Sequence, residues 1–315
     1  MTPNSTKSTT GTTGTAGTAG TAGTDRGQHR SLLERSDLNS KAIAMIARPH
    51  AIVAGVASFV VSAVVIGFLI SWPVGVIVGL LVGGVAALAT LKKVPEGAKA
   101  KVDAVVDSRP ATEDDYPRYY NLIDGLTLNV GAQRPELRVV DSSGLNLAVY
   151  GPADAGVVVA TTGLLEQLER IELEGVFAAA LVRLRANDAE LAMQLAANRS
   201  FGLLGLGVDA AELPGKTRAA ESLVRVLTEA FGTQREFLGD LGAVDITRYP
   251  PGLGAAFDKM IELGTHVASA TLGTAHLWLV DPLTPIAGEH NAYEVVRLLR
   301  TPTPIDQRSM LMAEL

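Results

Sequence analysis

Between Ala51 and Leu91 the chain carries no charged side chain. That run is about twice the ~20 apolar residues a helix needs to cross ~30 Å of hydrocarbon, so the pattern predicts two spanning helices. The break falls at Ser71-Trp72-Pro73, because proline cannot continue a helix interior and tryptophan prefers the membrane–water boundary. The spans are then about Ala51–Ile70 and Val74–Leu91. Gly75, Gly79 and Gly83 recur every four residues in the second span, as do Ala54, Ser58 and Ser62 in the first. Small residues at that spacing let two backbones approach closely, so the two faces are expected to pack together. Ahead of the hairpin, Met1 to about Gly27 consists largely of Thr, Gly, Ala and Ser with a Gly-Thr-Ala repeat. Such a composition cannot offset the entropy of ordering, and a flexible tail is expected there.

Past the hairpin the pattern is mixed. Thr112 and Asp115 open a helix running to about Val130, and Gln133-Arg134-Pro135 follows its end. Leu137–Val140, Asn146–Tyr150 and Val157–Thr161 are short β-rich runs separated by turn residues, as in a small meander. Helical periodicity dominates from Thr162 on: Leu164–Leu168, Ile171–Asn198, Thr217–Phe231, Arg235–Thr247, Pro251–Leu263, Ala292–Leu299 and Ile305–Glu314. The predicted class is α+β, a two-helix transmembrane hairpin followed by a mainly helical domain with a small β-meander. Its parts are residues 1–48, a disordered tail with a basic juxtamembrane segment; residues 49–93, the hairpin; and residues 94–315, one folded domain.

Composition adds exclusions. The 315 residues are 47% hydrophobic and only 19% charged, which agrees with part of the chain lying in lipid. The 27 basic and 33 acidic residues give a net charge of −6, with no basic block beyond Lys92-Lys93, so nucleic acid is not an expected partner. With no cysteine, disulfides, thiolate nucleophiles and Cys-ligated metals are excluded. Arg30, Arg35, Lys41 and Arg48 precede the hairpin and Lys92, Lys93, Lys99 and Lys101 follow it, whereas its loop is uncharged. The positive-inside rule then places both termini and the main domain in the cytoplasm. With no ionisable residue inside the spans, the hairpin reads as an anchor rather than an ion path.

The folded part resembles a known family. Val159-Ala160-Thr161-Thr162-Gly163-Leu164-Leu165-Glu166, followed by Glu172-Leu173-Glu174-Gly175-Val176-Phe177-Ala178, is similar to the segment leading into the zinc helix of HtpX-type membrane metallopeptidases, relatives of the CAAX prenyl endopeptidases. The family continues with His-Glu-x-x-His, two zinc ligands one turn apart and a general base. This chain reads Ala179-Ala180-Leu181-Val182-Arg183 instead: Ala179 and Arg183 stand at the ligand positions and Ala180 at the base. Arg235-Glu236-Phe237-Leu238-Gly239-Asp240 resembles the segment carrying the third ligand, which would be Glu236. The likeness continues through Ala243–Leu253, Thr274–Leu283 and Thr301–Arg308, where the family's Thr-His-Pro-Pro has become Thr-Pro-Thr-Pro.

What the resemblance implies is therefore a family fold without its chemistry. A catalytic zinc needs about three protein ligands and an open water position, and one carboxylate cannot hold it. No cofactor is expected. The resemblance would also aim Arg183 at Glu236, with Asp240 one turn further, so a guanidinium is expected to replace the metal in pairing these carboxylates. His276 is expected to be a structural histidine with its hydrogen bond satisfied. The leading functional expectation is a catalytically inactive, membrane-anchored adaptor or regulator that binds polypeptides or membrane-protein partners, an active protease among them. Strand Asn146–Tyr150 (Asn146, Ala148, Tyr150) would offer a peptide-binding edge. The alternatives are an active metallopeptidase whose zinc is held by Glu236, His266 or His290 and a partner-supplied residue, and a structural subunit that homo-oligomerises through Gly75, Gly79 and Gly83.

Overall fold

The computed structural model describes residues 19–199, 235–283 and 304–315, with the isolated helical positions 221, 225 and 229. The helices expected at Thr217–Phe231 and Ala292–Leu299 lie largely or wholly outside the described residues.

Two long helices form the hairpin, α1 (Ala19–Leu69) and α2 (Trp72–Asp103). The break is where proline and tryptophan predict it: Ser71 is extended and caps α2, with Pro73 in the first turn. Gly75, Gly79 and Gly83 are buried against α1, as expected. A Cβ on Gly75 would come within 2.5 Å of Ala63 O and Gly67 N, and one on Gly83 within 2.7 Å of Gly55 O. The closest partners are thus Gly55, Phe59, Ala63 and Gly67, one position on from the Ala54, Ser58 and Ser62 stripe, which lies half-buried beside them. This face is thus occupied by the chain's own α1 within the hairpin. The opposite faces expose apolar side chains, including Val53, Val64, Phe68, Leu80 and Val85. Both helices are long and apolar enough to cross a membrane, and their apolar windows are only 11% and 17% buried, the reverse of a soluble protein's core helix.

Both helices run past the apolar stretch into stalks. α1 begins at Ala19, inside the segment expected to be a flexible tail, and its part from Leu32 docks on the folded domain. The contacts that hold the stalk lie beyond that segment: Ile43 and Ile46 pack on Leu191 and Leu195, and Arg35 pairs with buried Asp188. Asn39 Nδ2 donates to Ala186 O and Asp188 Oδ1, both at 2.7 Å. Ala98, Val102 and Val106, at and just beyond the end of α2, join the core formed by the sheet and α6 (Asp188–Arg199).

The domain holds a four-stranded sheet, β1 (Arg109–Pro110), β2 (Glu136–Val140), β3 (Leu147–Tyr150) and β4 (Val157–Thr161), in the order β1-β2-β4-β3. β2 and β4 are parallel, with β1 and β3 antiparallel to their neighbours. The arrangement is therefore not the expected meander: β4 inserts between β2 and β3, and β1 adds a strand that its short Arg-Pro sequence did not signal. Helices α3 (Pro117–Val130), α4 (Thr162–Gln167) and α5 (Arg170–Arg185) surround the sheet, followed by α7 (Arg235–Thr247), α8 (Pro250–Leu263) and α9 (Ile305–Glu314). The single helix expected over Ile171–Asn198 is two, α5 and α6. Asn187 adopts a left-handed conformation (φ 57°) between them, which ends a helix as Asn tolerates.

Candidate functional site

Helix α5 is the axis of the site. Glu169 and Glu172 form a capping box at its start, and Leu173 through Leu184 are buried except Glu174, so the helix runs through the middle of the core. Two glycines set its neighbours. A Cβ on Gly175 would come within 3.0 Å of Leu253 backbone in α8, and one on Gly242 of α7 within 2.8 Å of Val182. These close approaches hold α7 and α8 directly against α5.

Ala179 and Arg183 are one turn apart and share a face. With Glu236 and Asp240 of α7, Arg235, Arg308 and Trp278 they line a cavity of about 10 Å³, room for about one water molecule. Ala180 is fully buried in the hydrophobic core and does not line it. Ala179, Arg183, Glu236 and Asp240 therefore lie together around one cavity.

Their pairing differs from expectation. Asp240 is held by Arg308, whose Nε and Nη2 each donate to one carboxylate oxygen at 2.8 Å. Arg308 also donates to Leu279 O at 2.8 Å and lies 4.5 Å from the Phe257 ring centroid. Arg183 instead donates to His276 O (3.1 Å) and Leu277 O (3.3 Å), and makes no ion pair with Glu236 within 4.0 Å. The guanidinium is buried, not solvent-facing. Burial and the nearby Arg235 push its pKa well below the ordinary arginine range, against the pull of Asp188 and Glu236. Glu236 Oε2 and Trp278 Nε1 are buried without a hydrogen-bond partner among the described residues, an acceptor and a donor on two residues of the same cavity. Nothing in local spacing marks the Asp240–Arg308 pair, which joins positions 68 residues apart; the only signal was that Arg308 closes the Thr301–Arg308 run of the resemblance.

The strand expected to be a free edge is not free. β3 is last in the sheet order, but Ala148 forms an antiparallel bridge with Trp278, and Leu279 N donates to Leu147 O at 2.7 Å. Asn146 Nδ2 donates to Thr265 O and Val280 O at 3.0 and 2.9 Å, and Tyr150 is fully buried with its hydroxyl on Asp103. The chain's own Ala275–Val280 segment occupies the edge, locked by Arg183 at the carbonyls of His276 and Leu277. His276 is satisfied, as expected, by Ala192 O at 3.0 Å, and burial lowers its pKa to about 3.

No family model matches the sequence. Individual relatives do. A protein named Protease HtpX homolog from Dictyoglomus turgidum is 31% identical over 221 residues, covering 64% of this chain and 70% of the relative. The chain belongs to the HtpX protease family. The homolog of the same name from Dictyoglomus thermophilum is 32% identical over 196 residues, 56% of this chain and 64% of that protein. The one from Ligilactobacillus salivarius is 26% identical over 278 residues, 80% and 90% of the two chains.

The zinc that an HtpX-type site implies does not fit the residues of this HtpX-family chain. Of about three donors required, the cavity offers Glu236; Asp240 is engaged by Arg308, and Arg183 and Arg235 bring further positive charge beside it. Among the described residues, no group of three or more His, Cys, Asp or Glu is placed to hold a metal. His266, proposed for an unconventional ligand set, does not line the cavity; its backbone packs on Gly144. His290 lies outside the described residues.

Proposed function

We propose that this HtpX-family chain is a non-catalytic, membrane-anchored member that acts as an adaptor or regulator of polypeptides or membrane-protein partners, its main domain and both termini cytoplasmic. One observation carries the reading: the cavity bounded by α5 and α7 presents an alanine and a buried guanidinium one turn apart, opposite a single carboxylate, Glu236, that makes no ion pair with a described residue. Among the described residues two further donors are lacking, so they do not hold an activated water, and Ala180, in the core at the position of the family's general base, cannot move a proton. Strand addition at β3 requires the Ala275–Val280 segment to leave, so a partner binding there competes with Trp278 and Arg183.

Elemental analysis and a casein-hydrolysis assay on the detergent-purified full chain test the reading. The expected result is no stoichiometric zinc and no hydrolysis. Combining Ala179→His, Ala180→Glu and Arg183→His should create a site that takes up about one zinc per chain, in a manner abolished by Glu236→Ala. Near-stoichiometric zinc in the unaltered protein, lost on Glu236→Ala, overturns the proposal.

A further inference from the structure

A second cavity, of about 530 Å³, lies among α1, α2 and α6, within the size range of small-molecule sites. Its wall is apolar at Ile43, Ala47 and Leu91, and carries one cation, Arg48, and one carboxylate, Glu190. Its level along the molecule is set by the sequence. Arg48 stands just before the charge-free stretch that begins at Ala51, and Leu91 is the last residue before Lys92-Lys93. The cavity therefore opens where the candidate membrane helices leave their apolar belt.

Both charges are unspent. Arg48 makes no hydrogen bond or ion pair with a described residue, and neither does Glu190; in particular the two do not pair with each other within 4.0 Å. Glu190 is half-buried, and burial together with the nearby Asp154 pushes its carboxyl above the ordinary range; a cationic partner offsets that cost, so the carboxylate on this wall suits a cation. A guanidinium presents a planar fork suited to a phosphate. A guanidinium, a carboxylate and an apolar wall, at the level where the hairpin leaves its charge-free stretch, match one class of molecule.

We propose that this cavity binds the headgroup of a zwitterionic aminophospholipid, its phosphate on Arg48 and its ammonium on Glu190, with the acyl chains along the hairpin. The proposal rests on α1 and α2 lying in a membrane and is independent of whether the domain is catalytic. A bound lipid would join the hairpin to α6, the helix whose first residue, Asp188, is tied to the stalk by Arg35.

The test is native mass spectrometry of the full chain released from detergent micelles containing phosphatidylethanolamine or phosphatidylglycerol of identical acyl chains. One phosphatidylethanolamine should be retained per chain, in preference to phosphatidylglycerol by about tenfold, the ratio corresponding to one charge-assisted contact. Glu190→Gln should abolish that preference while leaving phosphatidylglycerol retention unchanged, and Arg48→Ala should weaken both lipids about tenfold. Thermal unfolding in lipid-free detergent checks that both variants are folded. Equal retention of the two lipids, or folded variants that retain phosphatidylethanolamine like the parent, overturns the proposal. A chain that stays soluble without detergent defeats the membrane reading itself, a separate failure.

Discussion

The buried pair Asp240–Arg308 allows the site's electrostatics to be tested quantitatively. Both side chains are at most 2% exposed, and two hydrogen bonds of 2.8 Å join them. Arg308→Met keeps most of the side chain's length and its contact with Phe257 but removes the charge, stranding Asp240. Breaking one side of a buried pair costs about 3–5 kcal/mol, equivalent for a domain of this size to a fall in Tm of roughly 6–20 °C. Asp240→Asn with Arg308→Met removes both charges and should recover most of that loss, because the penalty comes from the uncompensated carboxylate. The pH dependence carries the sign. Burial already pushes the Asp240 carboxyl up, against the pull of Arg308; without Arg308 it moves further up. The folded variant then holds a proton that the unfolded chain releases near pH 3.9, so the variant's deficit grows as pH rises through the carboxylate range and shrinks towards about pH 4. Urea unfolding followed by Trp278 fluorescence in a Trp72→Phe background provides the assay. A deficit under about 1 kcal/mol, or one that is independent of pH, refutes the account of a charge-paired site.

Three further outcomes follow from the packing. Gly75→Leu should destabilise the hairpin by about 3 kcal/mol or more, since its Cβ meets α1 backbone at 2.5 Å, whereas Gly84→Ala, with nothing within 4 Å, should not, as thermal unfolding in detergent will show. Asp188→Ala should free the α1 stalk by leaving Arg35 and Asn39 without their carboxylate, at a cost of about 3 kcal/mol, and hydrogen exchange over residues 32–47 should rise while the sheet stays protected. His276, whose pKa falls from 6.5 to about 3 on folding, stays neutral while the unfolded chain takes up a proton. Stability should therefore drop as pH falls from 6.5 towards 3, by up to about 1.4 kcal/mol per pH unit, and His276→Gln should remove that part of the slope.

Local chemistry was enough to reveal what depends on a few consecutive residues. The hairpin break at Ser71–Pro73, the glycine face of α2, strands β2 and β4 and helices α7 to α9 all follow from period, propensity and the special demands of proline and glycine, and the chain reads them at short range. That Ala179 shares a face with Arg183, and Glu236 with Asp240, was legible because one helical turn places i and i+4 on one face; that the two faces meet was implied only by the resemblance to the HtpX-type family. The tertiary structure decided everything that needed a partner from far along the chain. It set β4 between β2 and β3, because sheet order is a matter of which buried faces meet rather than of strand propensity. It covered the edge of β3 with Ala275–Val280, because unpaired backbone groups beside a buried strand find the nearest donors and acceptors. It gave Asp240 to Arg308 and left Arg183 on two backbone carbonyls, because a buried charge is claimed by whichever opposite charge the packed helices bring within reach, and separation along the sequence does not limit that reach.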